Sequence, residues 1–298
     1  DALIKLGQFD GARQVLAQAQ RELPTSEAFA VVERNLILNI GSAEKQINPS
    51  QDQLDTLAKL FQNKEYDTAE QLAVAFTQKY PRHQFAWKVL GALLKHRGKN
   101  KEALYANKKV SEIAPLDAAA QYNLANTFHE LDRLEEAEIH YREAIRLKPD
   151  FDLAYNNYGT VRRRRGLIME AQTSYKTAIV LQPAFAQAQN NLGILFKELN
   201  EIDSAEANYR RTIISQHQFH QAYLNLGIVL QEKGKMIAAE ASYRKAIDID
   251  PINGDAHRNL GELLMRVGRH REGLSEIKKG SGAISFDLET GMSIHGGA

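Results

Sequence analysis

Cysteine is absent from all 298 residues, which excludes disulfide frameworks, thiol nucleophiles and zinc sites built on thiolates. Reduced cytoplasmic chains and cysteine-free exported ones look alike in this respect, so the compartment stays open, with the cytoplasm as the default expectation. No apolar run reaches the roughly 18 residues that a bilayer crossing needs, and no membrane insertion is expected. An excess of either charge is lacking too: 38 Lys and Arg stand against 37 Asp and Glu, a net +1. That balance argues against broad attraction to phosphate backbones, so no nucleic-acid partner is expected. The chain opens Asp1-Ala2-Leu3 without methionine, which raises the expectation that further N-terminal sequence precedes it.

Catalytic signatures are missing as well. There is no Gly-x4-Gly-Lys-Ser/Thr loop, no strand followed by Gly-x-Gly-x-x-Gly, no Gly-x-Ser-x-Gly elbow and no His-Glu-x-x-His helix. His217 and His220 stand three apart but fall in an inter-helix turn, and the other histidines are scattered. The expectation is therefore no enzyme, no metal and no cofactor in this stretch. The hydrophobic share of 43% still provides for a buried core. By length alone about two globular domains would be expected.

Internal repetition changes that estimate. Prolines recur at Pro81, Pro115, Pro149, Pro183 and Pro251, at gaps of 34 or twice 34, with His217 at the skipped place. Small residues recur at the same period through Gly91, Ala125, Gly159, Gly193, Gly227 and Gly261, and alanines from Ala69 to Ala239 form a further register. Within a unit the apolar residues keep helical spacing, as in Leu192, Leu195 and Phe196, then break near Asn200 and resume at Ile202, Ala205 and Tyr209. Each unit thus reads as two amphipathic helices. The glycine and alanine registers are expected at the close approach of the pair, with Gly193 facing Ala205. Tyrosines four residues after the alanine, from Tyr141 to Tyr243, are expected to wedge between layers. A lone helical hairpin cannot cover its own apolar faces, but stacked neighbours can, which makes the array a solenoid.

The pattern resembles the tetratricopeptide repeat, whose signature is Trp-x2-Leu-Gly-x2-Tyr, then Ala-x3-Phe, then Pro over 34 residues. WKVLGALL starting at Trp87, followed by Ala103 and Pro115, carries the likeness most fully. The resemblance implies an all-α right-handed superhelix of antiparallel helix pairs. Units are expected at 50–83, 84–117, 118–151, 152–185, 186–219 and 220–253, with a degenerate one at 254–280 where Gly273 replaces the packing alanine. Residues 1–24 read as the end of an earlier unit, and 25–49 as an irregular helix and linker. In 281–298, Ile284, Phe286 and Leu288 alternate with polar residues before Met292 and Ile294, the pattern of a hairpin or a non-repeat tail.

The candidate binding feature is a row of amides: Asn123, Asn157, Asn191, Asn225 and Asn259, at 34-residue intervals on the first helices. In the resembled family these helices line the inner surface. An amide offers both donor and acceptor, so such a row suits the peptide groups of an extended chain. It resembles the asparagine ladder of the solenoid in O-linked N-acetylglucosamine transferases, which implies holding of substrate proteins. The competing reading is architectural, with each Asn bonded to the next unit. Tyr122, Asn126, Asn156, Arg163, Arg164, Asn190 and Lys197 are expected beside the row in a groove of mixed character. The run Arg162-Arg163-Arg164-Arg165 spreads around the helix rather than forming a patch. It reads as cations paired to nearby glutamates, or as an anchor for an acidic segment. Glu135, Glu136 and Glu138 read as a solvated outer face.

Protein or peptide segments are thus the expected partners of a non-catalytic scaffold. The alternative is the substrate-recognition arm of a larger enzyme, such as a glycosyltransferase, whose catalytic domain lies outside this stretch. Self-association through uncapped solenoid ends is the third reading.

Overall fold

A computed structural model describes residues 48–281, 285–287 and 291–293; the units expected at 1–24 and over most of 25–49 lie outside the described residues. The chain divides into two compact units, one ending at Leu131 and the other beginning at Asp132. Among the described residues the first holds α1 (Gln51–Gln62), α2 (Tyr66–Lys79), α3 (Gln84–His96), α4 (Asn100–Ile113) and α5 (Ala118–Glu130). The second holds α6 (Leu134–Leu147), α7 (Asp152–Arg164), α8 (Ile168–Leu181), α9 (Ala186–Glu198) and α10 (Ile202–Ser215). It continues with α11 (His220–Glu232), α12 (Met236–Ile249), α13 (Gly254–Arg266) and α14 (His270–Gly280). Strands β1 (Ser285–Asp287) and β2 (Gly291–Ser293) follow as an antiparallel pair in which Phe286 lies opposite Met292. Within each unit, helices consecutive in sequence pack on one another.

Start and stop of each helix follow from local chemistry. Ser50 caps α1 in a capping box with Gln53, Asp117 accepts from the amides of Ala119 and Ala120, and Asn253 accepts from that of Ala256. Between the helices of a pair the chain reverses through one residue in the left-handed region: Lys64, Gly98, Asp132, Gly166, Asn200, Gly234 and Gly268. These seven are also 34 apart, a register set by the turn and met by glycine, Asn or Asp in all but one repeat. At the far end, a donor from the next first helix seals the carbonyl of the recurrent proline. Trp87 Nε1 donates to Pro81 O at 2.9 Å, Gln121 Nε2 to Pro115 O at 3.1 Å and Gln189 Nε2 to Pro183 O at 2.6 Å.

The glycine register clears a tyrosine ring as well as the alanine backbone. A Cβ at Gly193 would stand 2.7 Å from Cε1 of Tyr209, and one at Gly159 would stand 2.8 Å from Cε1 of Tyr175. The close approach expected between the glycine and alanine registers is present at Gly159, where a Cβ would stand 3.2 Å from Ala171 O, and the tyrosine one turn beyond the alanine adds its ring to that contact. Tyr175, Tyr209 and Tyr243 are wholly or almost wholly buried, with Leu195, Leu230 and Leu260 among the other large buried side chains. In the first unit Asn107 takes the tyrosine's place over Gly91 and donates to Thr127 Oγ1 at 2.8 Å.

Glu138 departs from its expected place on a solvated face: it is buried at 5% exposure. Arg142 donates to it at 2.7 Å, Arg165 bonds its other oxygen, and Arg162 lies 3.5 Å away. Three guanidinium groups offset the cost of burying that carboxylate, and the arginine run is the reason they are at hand. Each arginine of the run has an acidic partner, since Arg163 bonds Glu198 and Arg164 reaches Asp132 at 2.6 Å.

Candidate functional site: the polar face of the first helices

In the second unit, consecutive first helices α7, α9, α11 and α13 pack directly on one another. The ladder asparagines Asn157, Asn191, Asn225 and Asn259 lie along them, each half-buried. In the first unit, Asn123 is exposed on α5, with Tyr122 and Asn126 half-buried.

The ladder bonds between repeats. Asn191 Nδ2 donates to Asn156 Oδ1 at 2.9 Å, and Asn225 Nδ2 donates to Asn190 Oδ1 at 3.1 Å. Both links join residues 35 apart, the fifth residue of one 34-residue unit to the sixth of the next. Asn156 and Asn190, expected on the groove surface, are instead buried at 3% and 2% exposure. The correction has a geometric cause: one residue is about 100° of helix, which turns the fifth position toward the following repeat while the sixth stays at the rim. Glutamines one turn earlier hold the ladder amides from the other side, Gln187 Nε2 donating to Asn191 Oδ1 at 3.2 Å and Gln221 Nε2 to Asn225 Oδ1 at 3.3 Å. Asn191 and Asn225 each use one N–H and one lone pair in these bonds, which leaves one of each.

A second tier of inter-repeat links lies two turns along. Arg163 bonds Glu198, and Lys197 Nζ lies 3.2 Å from Glu232. Lys95 and Glu130 make the same link in the first unit at 2.7 Å. These pairs again join residues 35 apart. Arg163 and Lys197 are thus tied to glutamates rather than free to grip an anion. Arg164 faces Asp132 instead, away from this tier.

The tyrosine hydroxyls of the second helices reach these same first helices. Tyr175 Oη donates to Thr160 Oγ1 at 3.2 Å and Tyr243 Oη to Gln231 Oε1 at 3.0 Å. Tyr209 Oη is buried without a partner, because Ile194 stands where Thr160 does one repeat earlier and Lys197 where Gln231 does one repeat later. Burial, with Glu198 and Glu232 nearby, pushes its phenol well above the ordinary range. The last pair is different again: buried His257 points Nδ1 at Glu276 Oε2, 2.7 Å away, and Nε2 at Pro251 O, 2.9 Å away. Burial opposes ionisation of Glu276, but hydrogen bonds from Lys279 and His257 outweigh it and hold the carboxyl below its usual range. Among the described residues no group of three or more His, Asp or Glu is placed to hold a metal ion. No described helix is long and apolar enough to cross a membrane.

Stacked helical hairpins with one turn register, one glycine–tyrosine register and repeat-to-repeat polar links define an α-solenoid of short repeats. Family models of the tetratricopeptide repeat match residues 118–151, 159–219 and 220–253, and these stretches are tetratricopeptide repeats. Among solved structures, that from the functional characterisation of Pseudomonas aeruginosa pilF is 20% identical, with a TM-score of 0.59, over 65% of this chain and 88% of that one. A tetratricopeptide repeat protein from Parabacteroides merdae is 17% identical, with a TM-score of 0.63, over 78% and 91%. A chain of the APC/C hetero-tetramer Cut9-Hcn1 is 15% identical, with a TM-score of 0.65, over 91% and 56%. At these identities the likeness is one of fold. A 77-residue stretch is 39% identical to the crossover junction endodeoxyribonuclease RuvC of Cronobacter sakazakii, over 26% of this chain. The chain spans 43% of the length of that relative, and the same share of its Salmonella choleraesuis counterpart.

Proposed function

We propose that the chain is a non-catalytic protein-interaction scaffold that holds an extended segment of a partner polypeptide along the first helices. The observation that carries this is the state of Asn191 and Asn225. Each is fixed by a donor bond to the previous repeat and an acceptor bond from its own helix, and each keeps one donor and one acceptor at the rim. A peptide group has the complementary pair, and amides already fixed in place lose little side-chain entropy on binding. The architectural and the binding readings of the ladder are therefore one arrangement: the inter-repeat bond sets the spacing at which amides are presented. The ion pairs beside the row leave no concentrated charge, which favours a partner read through its backbone over one read through phosphate.

The test is capture by the immobilised chain of peptides from a tiled library, with bound sequences identified by mass spectrometry. Replacing Asn157, Asn191, Asn225 and Asn259 by Ala is expected to abolish capture while the helical circular dichroism persists. Unchanged capture by that variant would rule the groove out.

A further inference from the structure

The second-helix side of the second unit carries a surface that the ladder does not use. Consecutive first helices pack on one another, whereas α8, α10 and α12 make their main contacts with first helices and leave open gaps beside them. Two clefts of about 490 and 560 Å³ fill these gaps, the first between α8 and α10 over α9, the second between α10 and α12 over α11. They are the same site built twice. Ile179, Val180 and Leu192 in the first cleft correspond at 34 residues to Ile213, Ile214 and Leu226 in the second. Val180 and Ile214 are 78% and 72% exposed, although both belong to the aliphatic floor. The rims are cationic in both: Lys176 and Arg211 flank the first, Arg210 and Lys245 the second, and no acidic residue lines either.

Lys176, Arg211 and Lys245 have no acidic partner among the described residues, in a unit where Arg162 to Arg165, Arg142, Arg244 and Arg269 are all paired. Only Arg210 has one, Glu206 at 2.9 Å. A cleft in the first unit, on α2 beside Arg97, has another character: Asp67 and Glu70 line it, and its one cation, Arg97, is paired with both.

We propose that these twin clefts dock an acidic polypeptide segment that places one aliphatic side chain in each cleft and carboxylates against the four rim cations. Charge complementarity selects the occupant. An aliphatic floor on its own would accept any apolar segment, but the unpaired cations, Lys176 and Arg211 at the first floor and Lys245 at the second, disfavour a neutral or basic one. A lipid surface fits less well, because each cleft lies between two helices and its lining includes polar side chains, Gln189 and Asn208 in the first and Ser242 in the second.

The probe is a set of fluorescein-labelled peptides of about twelve residues, rich in Asp and Glu, with two leucines at separations from about two to about seven residues, covering extended and helical spacings. Anisotropy against the full chain is expected to show binding for a subset of separations, weakening as salt rises. Lys176→Glu with Arg211→Glu, and separately Ile214→Asp, should each weaken it about tenfold or more, while the four-asparagine ladder variant binds as the parent does. All three of these cleft positions are exposed, so circular dichroism should not change. Absence of binding across the set, or binding indifferent to both cleft variants, overturns the proposal. Rim-sensitive binding to phosphatidylglycerol vesicles without peptide binding also overturns it and assigns the face to lipid.

Discussion

A buried tyrosine hydroxyl illustrates how one register can hold unequal residues. Tyr175, Tyr209 and Tyr243 occupy one repeat position over a glycine, but only Tyr209 lacks a hydrogen-bond partner. Burying a hydroxyl without a partner costs about 1–3 kcal/mol, so Tyr209→Phe is expected to be neutral or stabilising in urea unfolding, whereas Tyr175→Phe should cost about 1 kcal/mol. Equal losses in the two variants would contradict this account. The turn register makes a matching case. Lys64 sits at φ 63° where four other repeats have glycine, and its side chain is exposed. Lys64→Gly should therefore stabilise the first unit by about 0.5–1 kcal/mol, the left-handed strain removed less the extra chain entropy of glycine. A lowered urea midpoint would show that the lysine is not strained there.

At the level of helix pairs, the final hairpin is built differently from those before it. Glycines meet along it: a Cβ at Gly273 would stand 2.7 Å from Gly261 O, and one at Gly280 would stand 2.6 Å from Gly254 O. The backbones of α13 and α14 approach where other repeats insert a tyrosine, which explains why Gly273 replaces the alanine of the pattern. Gly273→Val is expected to lower stability by several kcal/mol through overpacking against backbone, with loss of hydrogen-exchange protection confined first to α13 and α14. Uniform loss across the second unit would instead indicate that the pair is not a separable layer.

Over the whole molecule, a recurring motif is a carboxylate held below its ordinary range by a cation from a neighbouring turn or repeat. Glu206 is held by Lys233, and by Arg210 beside it. Burial works against ionisation of Glu240, but Arg269 and Arg244 overcome it. In each case the folded chain releases its proton more readily than the unfolded chain, so the unfolded state binds more protons between the two values. The stability contributed is complete above the unfolded carboxylate value of about 4.3 and is lost as pH falls through the lower folded values. Unfolding midpoints should accordingly be flat from about pH 5 to 7 and fall steeply below about pH 4. An acid limb that persists after Glu206→Gln, Glu240→Gln and Glu276→Gln are combined would place its origin elsewhere.

What the chain determines by itself is everything that repeats. A period of 34 carried by proline, glycine and alanine specifies the hairpin, its turn and its stacking, because those constraints are local and recur with each unit. Even the turn residues from Lys64 to Gly268 form a register visible in the sequence, unread only because it mixes glycine with Asn, Asp and Lys. The asparagine row was legible on the same grounds. Its chemistry was not, since a link such as Asn191 to Asn156 joins positions that differ by one residue between repeats, an offset set by how one helix leans on the next. Only the tertiary structure could bury Glu138 among three arginines, turn Asn156 and Asn190 away from the rim, and open clefts between second helices. Each of these depends on the angle at which hairpins stack, which arises from the sum of many side-chain contacts and is written at no single position.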